Sequence, residues 1–84
     1  MGHTPPLRVT ALRGRVTRGP YGEGSKSERE ADFIDTADAH YILRRKTGPV
    51  FGDPELTQYV GHLVECDGFL VGTTLLAERI EVVE

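Results

Sequence analysis

Arg44, Arg45 and Lys46 stand consecutively, and two further cations, Lys26 and Arg29, lie in or beside a Gly- and Ser-rich stretch upstream. Five cations that converge in space could follow a phosphate backbone, because each cation that meets a phosphate releases condensed counterions. Tyr21, Phe33 and Tyr41 occur in the same region and could supply faces for stacked bases. A plainer reading stands beside this one: Phe33 and one residue of the 40–45 segment are core, and the three consecutive cations are a solvated strand end. Asp32, Asp35 and Asp38 flank the same segment and would repel phosphate, which weighs against nucleic acid.

Other chemistry finds less support. The stretch from Gly19 to Ser27 has the glycines, lysine and serine of a phosphate-cradling loop, but Ser25 separates Gly24 from Lys26 and no long helix follows. Nucleotide hydrolysis is therefore not expected. The three aspartates with His40 could ligate a divalent cation, yet strand alternation puts Asp32 and Asp35 on opposite faces, so no metal site is expected. His3, His40 and His62 are far apart, and no nucleophile, base and acid share a known catalytic spacing. The sequence reads as neither an enzyme nor a cofactor carrier.

A single cysteine, Cys66, excludes an internal disulfide and a Cys-rich metal knuckle. It alternates with Val64 and Leu70, which predicts a buried, inert thiol, and its being single points to a reducing compartment; Met1 to Pro6 has no apolar stretch behind a basic start, so a cytoplasmic protein is expected. No run approaches the ~18 apolar residues of a membrane span, so no membrane partner is expected.

The net charge of −3 hides a division along the chain. Residues 1–46 carry nine of the ten Lys and Arg and come to +3, whereas residues 47–84 carry Arg79 alone against seven acids and come to −6. If the halves occupy different faces, the molecule is a dipole that steers partners or drives self-association.

These groups need a scaffold, and 84 residues suffice for one core. Residues 1–6 read as a disordered tail and 7–84 as one domain. Leu7 to Thr17 reads as a strand whose apolar phase changes part-way, with Gly14 as the expected bulge. Gly19 to Glu30 reads as a long loop. Ala31 to Thr36 and His40 to Arg45 form a hairpin around Ala37, Asp38 and Ala39. Asp53 suits an N-cap, Pro54 the first helical position and Gly61 the stop, which predicts a helix of about two turns burying Leu56, Tyr59 and Val60. His62 to Val71 and Thr74 to Val83 are strands joined by Gly72 and Thr73, the second changing phase near Glu78 and Arg79. The expected class is all-β with one short helix.

That order, with bent first and last strands, resembles the OB-fold, a five-stranded Greek-key barrel with a helix between strands 3 and 4. The run from Leu63 through Phe69 to Leu75–Val82 looks like the closing hairpin of bacterial OB domains. Gly24–Arg29, Tyr41–Arg45 and Asp53–Leu56 also resemble a group of short bacterial proteins with no assigned function. The resemblance implies that the strand 2–3 face and the loop after strand 1 bind ligand. On that expectation Lys26, Arg29, Phe33, Tyr41, Arg44, Arg45 and Lys46 would hold a polyanion, such as single-stranded nucleic acid or an acidic protein surface. The alternative is an assembly module built on the opposed halves, with homo-oligomers among its products.

Overall fold

Strand β1 (Leu7–Tyr21) is, at 15 residues, long enough to serve two neighbours. Its first part pairs antiparallel with β4 (Leu63–Val71) and its second with β2 (Arg29–Asp35), the two registers overlapping at Arg15. The computed structural model describes residues 5–21, 29–48 and 53–84. The tail expected at residues 1–6 falls mostly outside them.

Strands β3 (His40–Arg45) and β5 (Thr74–Val82) complete a closed sheet in the order β1-β2-β3-β5-β4. All contacts are antiparallel except β3 with β5, which run parallel from Ile42 opposite Thr74 to Arg45 opposite Ala77. Closure leaves no strand with an unpaired side along its whole length. The fold is mostly β with one short helix among the described residues, as the alternation predicts.

The bulge in β1 does not fall at Gly14. The register slips between Val9 and Leu12, where Ala11 takes a left-handed φ of 55°. The Asp67 carboxylate accepts the Ala11 N–H at 2.8 Å, which supports that conformation in a residue with a Cβ. Gly14 is required for another reason: a Cβ there would lie 2.5 Å from the Asp35 carbonyl oxygen.

Both ends of the loop expected from Gly19 to Glu30 are strand instead, because Gly19, Pro20 and Tyr21 pair with Ala31, Glu30 and Arg29. Pro20 is tolerated because β1 has only one described strand neighbour there, β2. Residues 22–28, with Lys26, lie outside the described residues.

Inside the sheet, Val16, Ile34, Leu43, Val64, Cys66, Leu75 and Ala77 form one core, and Leu56 completes it from the helix α1 (Pro54–Thr57). Asp53 caps the helix as its spacing predicts, its side chain accepting the Glu55 N–H. The helix is one turn, not two. Tyr59 and Val60 donate to the carbonyls three residues back, and Gly61, at φ 89°, turns the chain so that its N–H meets the Val16 carbonyl at 2.7 Å. Leu56 is buried and Tyr59 half-buried, but Val60, beyond the helix, is exposed.

The second expected phase change is where the pattern puts it. Asp67 faces Arg79 while Gly68 faces Ala77, so Glu78 is the extra residue of a bulge in β5. Among the described residues no helix is long and apolar enough to cross a membrane.

Candidate functional site

Alternation divides Phe33, Tyr41, Arg44 and Arg45, four of the seven expected binding residues, between the two sides of the sheet. Leu43 is core, so Tyr41 and Arg45 share its inward phase while Ile42 and Arg44 point outward. Tyr41 packs half-buried against the core and offers no platform to a ligand outside. Arg45 reaches the end of the barrel, where its Nε and Nη2 donate to the two Asp53 carboxylate oxygens at 2.7 and 3.0 Å. Asp53 is 1% exposed. The Arg45 guanidinium holds that carboxyl below its ordinary pKa against the opposing effect of burial, and the Glu55 N–H adds to the lowering. Arg45 is thus the counter-ion of a buried helix cap.

Asp32 and Arg18 make a similar pair across β1 and β2. The guanidinium donates to Asp32 at 3.1 Å and to the Thr57 hydroxyl at 2.8 Å, tying the helix to both strands. Asp35 instead contacts the His40 ring. No group of three or more metal-ligating side chains occurs among the described residues.

Phe33 lies opposite Thr17 and Ile42 and stacks on the His40 ring with centroids 4.5 Å apart, but it is buried, 9% exposed, so it offers an incoming ligand no free face. Arg44 lies on the outer face beside Leu76 of β5. Its Nε is buried with no hydrogen-bond partner among the described residues. Arg29 opens β2, and its side chain, like Lys26, lies outside what is described.

Lys46 follows β3 and meets a residue that sequence reasoning passed over. Its ammonium stands 5.5 Å from the centre of the Phe69 ring, and the Arg8 guanidinium stands 5.0 Å from the same ring. Phe69 lies between Arg8 of β1 and Leu76 of β5 in the sheet register. Its placement was legible by phase: Phe69 shares its strand phase with Glu65 and Asp67, so alternation puts an aromatic ring on the polar side of the strand. The outer face therefore runs from Ile42 and Arg44 through Leu76 to Phe69, with Arg8 and Lys46 beside it.

The division of charge along the sequence does not survive folding. Because β1 pairs with β4 and β3 with β5, basic residues of the first half lie beside acids of the second. Arg13 meets Glu65 at 3.1 Å, Arg8 and Lys46 meet Glu78 at 3.1 and 3.0 Å, and Arg15 approaches Glu84. Arg79 gathers Asp67, Glu81 and Glu65. The halves interleave, so the condition for a dipole is not met. Arg44 is the one Lys or Arg without a carboxylate partner among the described side chains.

Cys66 lies in the core, fully buried, and burial pushes its thiol up to about 12, with Asp67 and Glu65 adding to the rise and Arg79 opposing it. A thiol reagent at pH 8 is expected to leave the native protein unlabelled over a time in which urea-unfolded protein reacts fully. Fast labelling of the native state would refute the inert role.

Comparison with protein-family models, with curated proteins and with solved structures gives no match for this chain, so its own geometry carries the functional reading.

Proposed function

We propose that the closed sheet is an OB-type barrel and that it acts as a non-catalytic binding module, holding single-stranded nucleic acid on its outer face. The strand order β1-β2-β3-β5-β4, the parallel β3–β5 contact and the helix between β3 and β4 support the barrel type. The buried free thiol supports a reducing, cytoplasmic setting.

The observation that carries the binding reading is Arg44. A guanidinium on a half-buried strand position, with no carboxylate partner among the described side chains, has its terminal nitrogens to offer an incoming anion, while its buried Nε lies beyond a ligand's reach. The Phe69 ring lies two strands away on the same face, across Leu76, and stacking on such a ring contributes roughly 1–3 kcal/mol per base. An anion with planar, stackable groups uses both features, whereas an acidic protein patch uses only the cations. Interleaved ion pairs leave the assembly reading without its electrostatic drive.

The test is a titration of ¹⁵N-labelled protein with a single-stranded oligonucleotide at low and high salt. Resonance shifts are expected at Arg8, Arg44, Lys46 and Phe69, fading as salt rises. Shifts with an acidic peptide but not with the oligonucleotide would transfer the face to a protein partner. No shift with either would end the reading.

A further inference from the structure

We propose that Glu78 is a built-in competitor for the outer-face site, a carboxylate that occupies Arg8 and Lys46 until a ligand with at least two neighbouring phosphates displaces it. The inference rests on the binding reading above and concerns which anions gain access.

The backbone places Glu78 for this role. In a regular strand Leu76 and Glu78 would share one phase and Ala77 and Arg79 the other. The bulge breaks that order: Ala77 pairs with Gly68, Arg79 pairs with Asp67, and Glu78 stands between without a partner in β4. The bulge depends on Gly68, where a Cβ would collide with the Leu76 carbonyl oxygen. Freed from the ladder, Glu78 meets Arg8 from β1 at 3.1 Å through one oxygen and Lys46 from the end of β3 at 3.0 Å through the other.

Those two cations are the ones that stand beside Phe69. A phosphate approaching the ring therefore meets cations already satisfied by a carboxylate. The contacts are exposed enough to exchange: the Arg8 and Lys46 side chains are 58% and 53% exposed and Glu78 is 32% exposed. Lys46, with Arg8, holds the Glu78 carboxyl below its ordinary pKa, so it stays charged near neutral pH. A single monoanion replaces one contact and leaves Glu78 on the other cation. A chain of phosphates replaces both in one binding event, because the second contact forms at high effective concentration. Arg44 offers the first foothold, since it has no carboxylate to give up.

The experiment measures oligonucleotide affinity for the full chain and for Glu78→Gln and Glu81→Gln. Glu81 carries the same charge but contacts Arg79 on another part of the surface. Glu78→Gln is expected to bind roughly five- to tenfold tighter at low salt, and Glu81→Gln within about twofold of the parent. Inorganic phosphate is expected to compete more strongly in Glu78→Gln than in the parent. In the parent, the Glu78 side-chain carboxyl resonance is expected to move when oligonucleotide is added, a readout that needs no variant. If the parent binds and Glu78→Gln binds equally or more weakly, or gains no more than Glu81→Gln, the competitor role is overturned while the binding face stands. If neither parent nor Glu78→Gln binds, both fall.

Discussion

Replacing Arg45 with alanine is expected to reverse the acid-range pH dependence that one buried carboxylate gives this fold. In the parent chain Asp53 has a depressed folded pKa, so its contribution is complete above its unfolded value, near 3.8, and is lost as pH falls through the folded value. The depression comes first from Arg45, and burial works against it more strongly than the Glu55 N–H helps. Without the guanidinium, burial wins and the folded pKa rises above the unfolded one. A carboxyl with a raised folded pKa stabilises below its unfolded value and loses that stability as pH rises through the folded value. Urea melts of Arg45→Ala should therefore show its deficit shrinking on acidification toward pH 4 and widening toward pH 7.

Asp53→Ala removes the helix cap and both charged hydrogen bonds, at a cost of about 2–4 kcal/mol, and should lack this reversed dependence. The double variant should be less damaged than the two singles summed, since the two side chains act as a pair. A parallel pH dependence in parent and Arg45→Ala would remove the ion pair from the account of the helix.

Gly68→Ala is the second large effect expected. The added Cβ would fall well inside van der Waals contact with the Leu76 carbonyl oxygen and 3.0 Å from the Ala77 Cα. Both are main-chain atoms of the paired strand, so no rotamer relieves the clash and the hairpin must shift along several residues. A loss of about 3 kcal/mol in a urea melt is the scale of such overpacking. The shift should also carry Glu78 away from Arg8 and Lys46, because the bulge that positions it sits opposite. By contrast, Gly72→Asn changes a turn residue at φ 62° with nothing within 4 Å, a conformation asparagine accepts, and should cost little. Equal tolerance at positions 68 and 72 would mean the β4–β5 register is softer than the close approach implies.

Which parts of this were readable in advance follows from the range of the forces involved. Asp53 and Pro54 announced the helix start because capping is a contact between near neighbours in the chain. The bulge near Glu78 was readable because Leu75 and Ala77 keep one phase and Ile80 and Val82 the other. The bulge in β1 was assigned to Gly14 because glycine is the usual residue there, whereas Ala11 is held by Asp67, 56 residues away, and nothing local announces that. Pro20 and Gly19 read as loop by composition, yet pairing with β2 keeps them in the strand.

The site divided for the same reason. Arg44, Arg45 and Lys46 read as one basic cluster, but strand alternation turns Arg45 inward to Asp53 and leaves Arg44 outside. Where the acids of the second half would go depended on β1 meeting β4 and β3 meeting β5, and on those contacts the charge pattern was silent. Phe69 is visible by phase, but a single aromatic on a polar strand face carries no ligand chemistry of its own until the fold sets Arg8 and Lys46 beside it.

The central claim is that the outer face holds a polyanion through Arg44 with Arg8 and Lys46, and the salt dependence of binding tests it most directly. Affinity for a labelled single-stranded oligonucleotide, measured by anisotropy across salt concentrations, should fall on a log–log plot with a slope of about −2 for three phosphate contacts. Arg44→Ala should bind about tenfold more weakly at low salt, with a slope shallower by about 0.7. An Arg44→Ala protein that keeps the parent's affinity and slope would contradict the account.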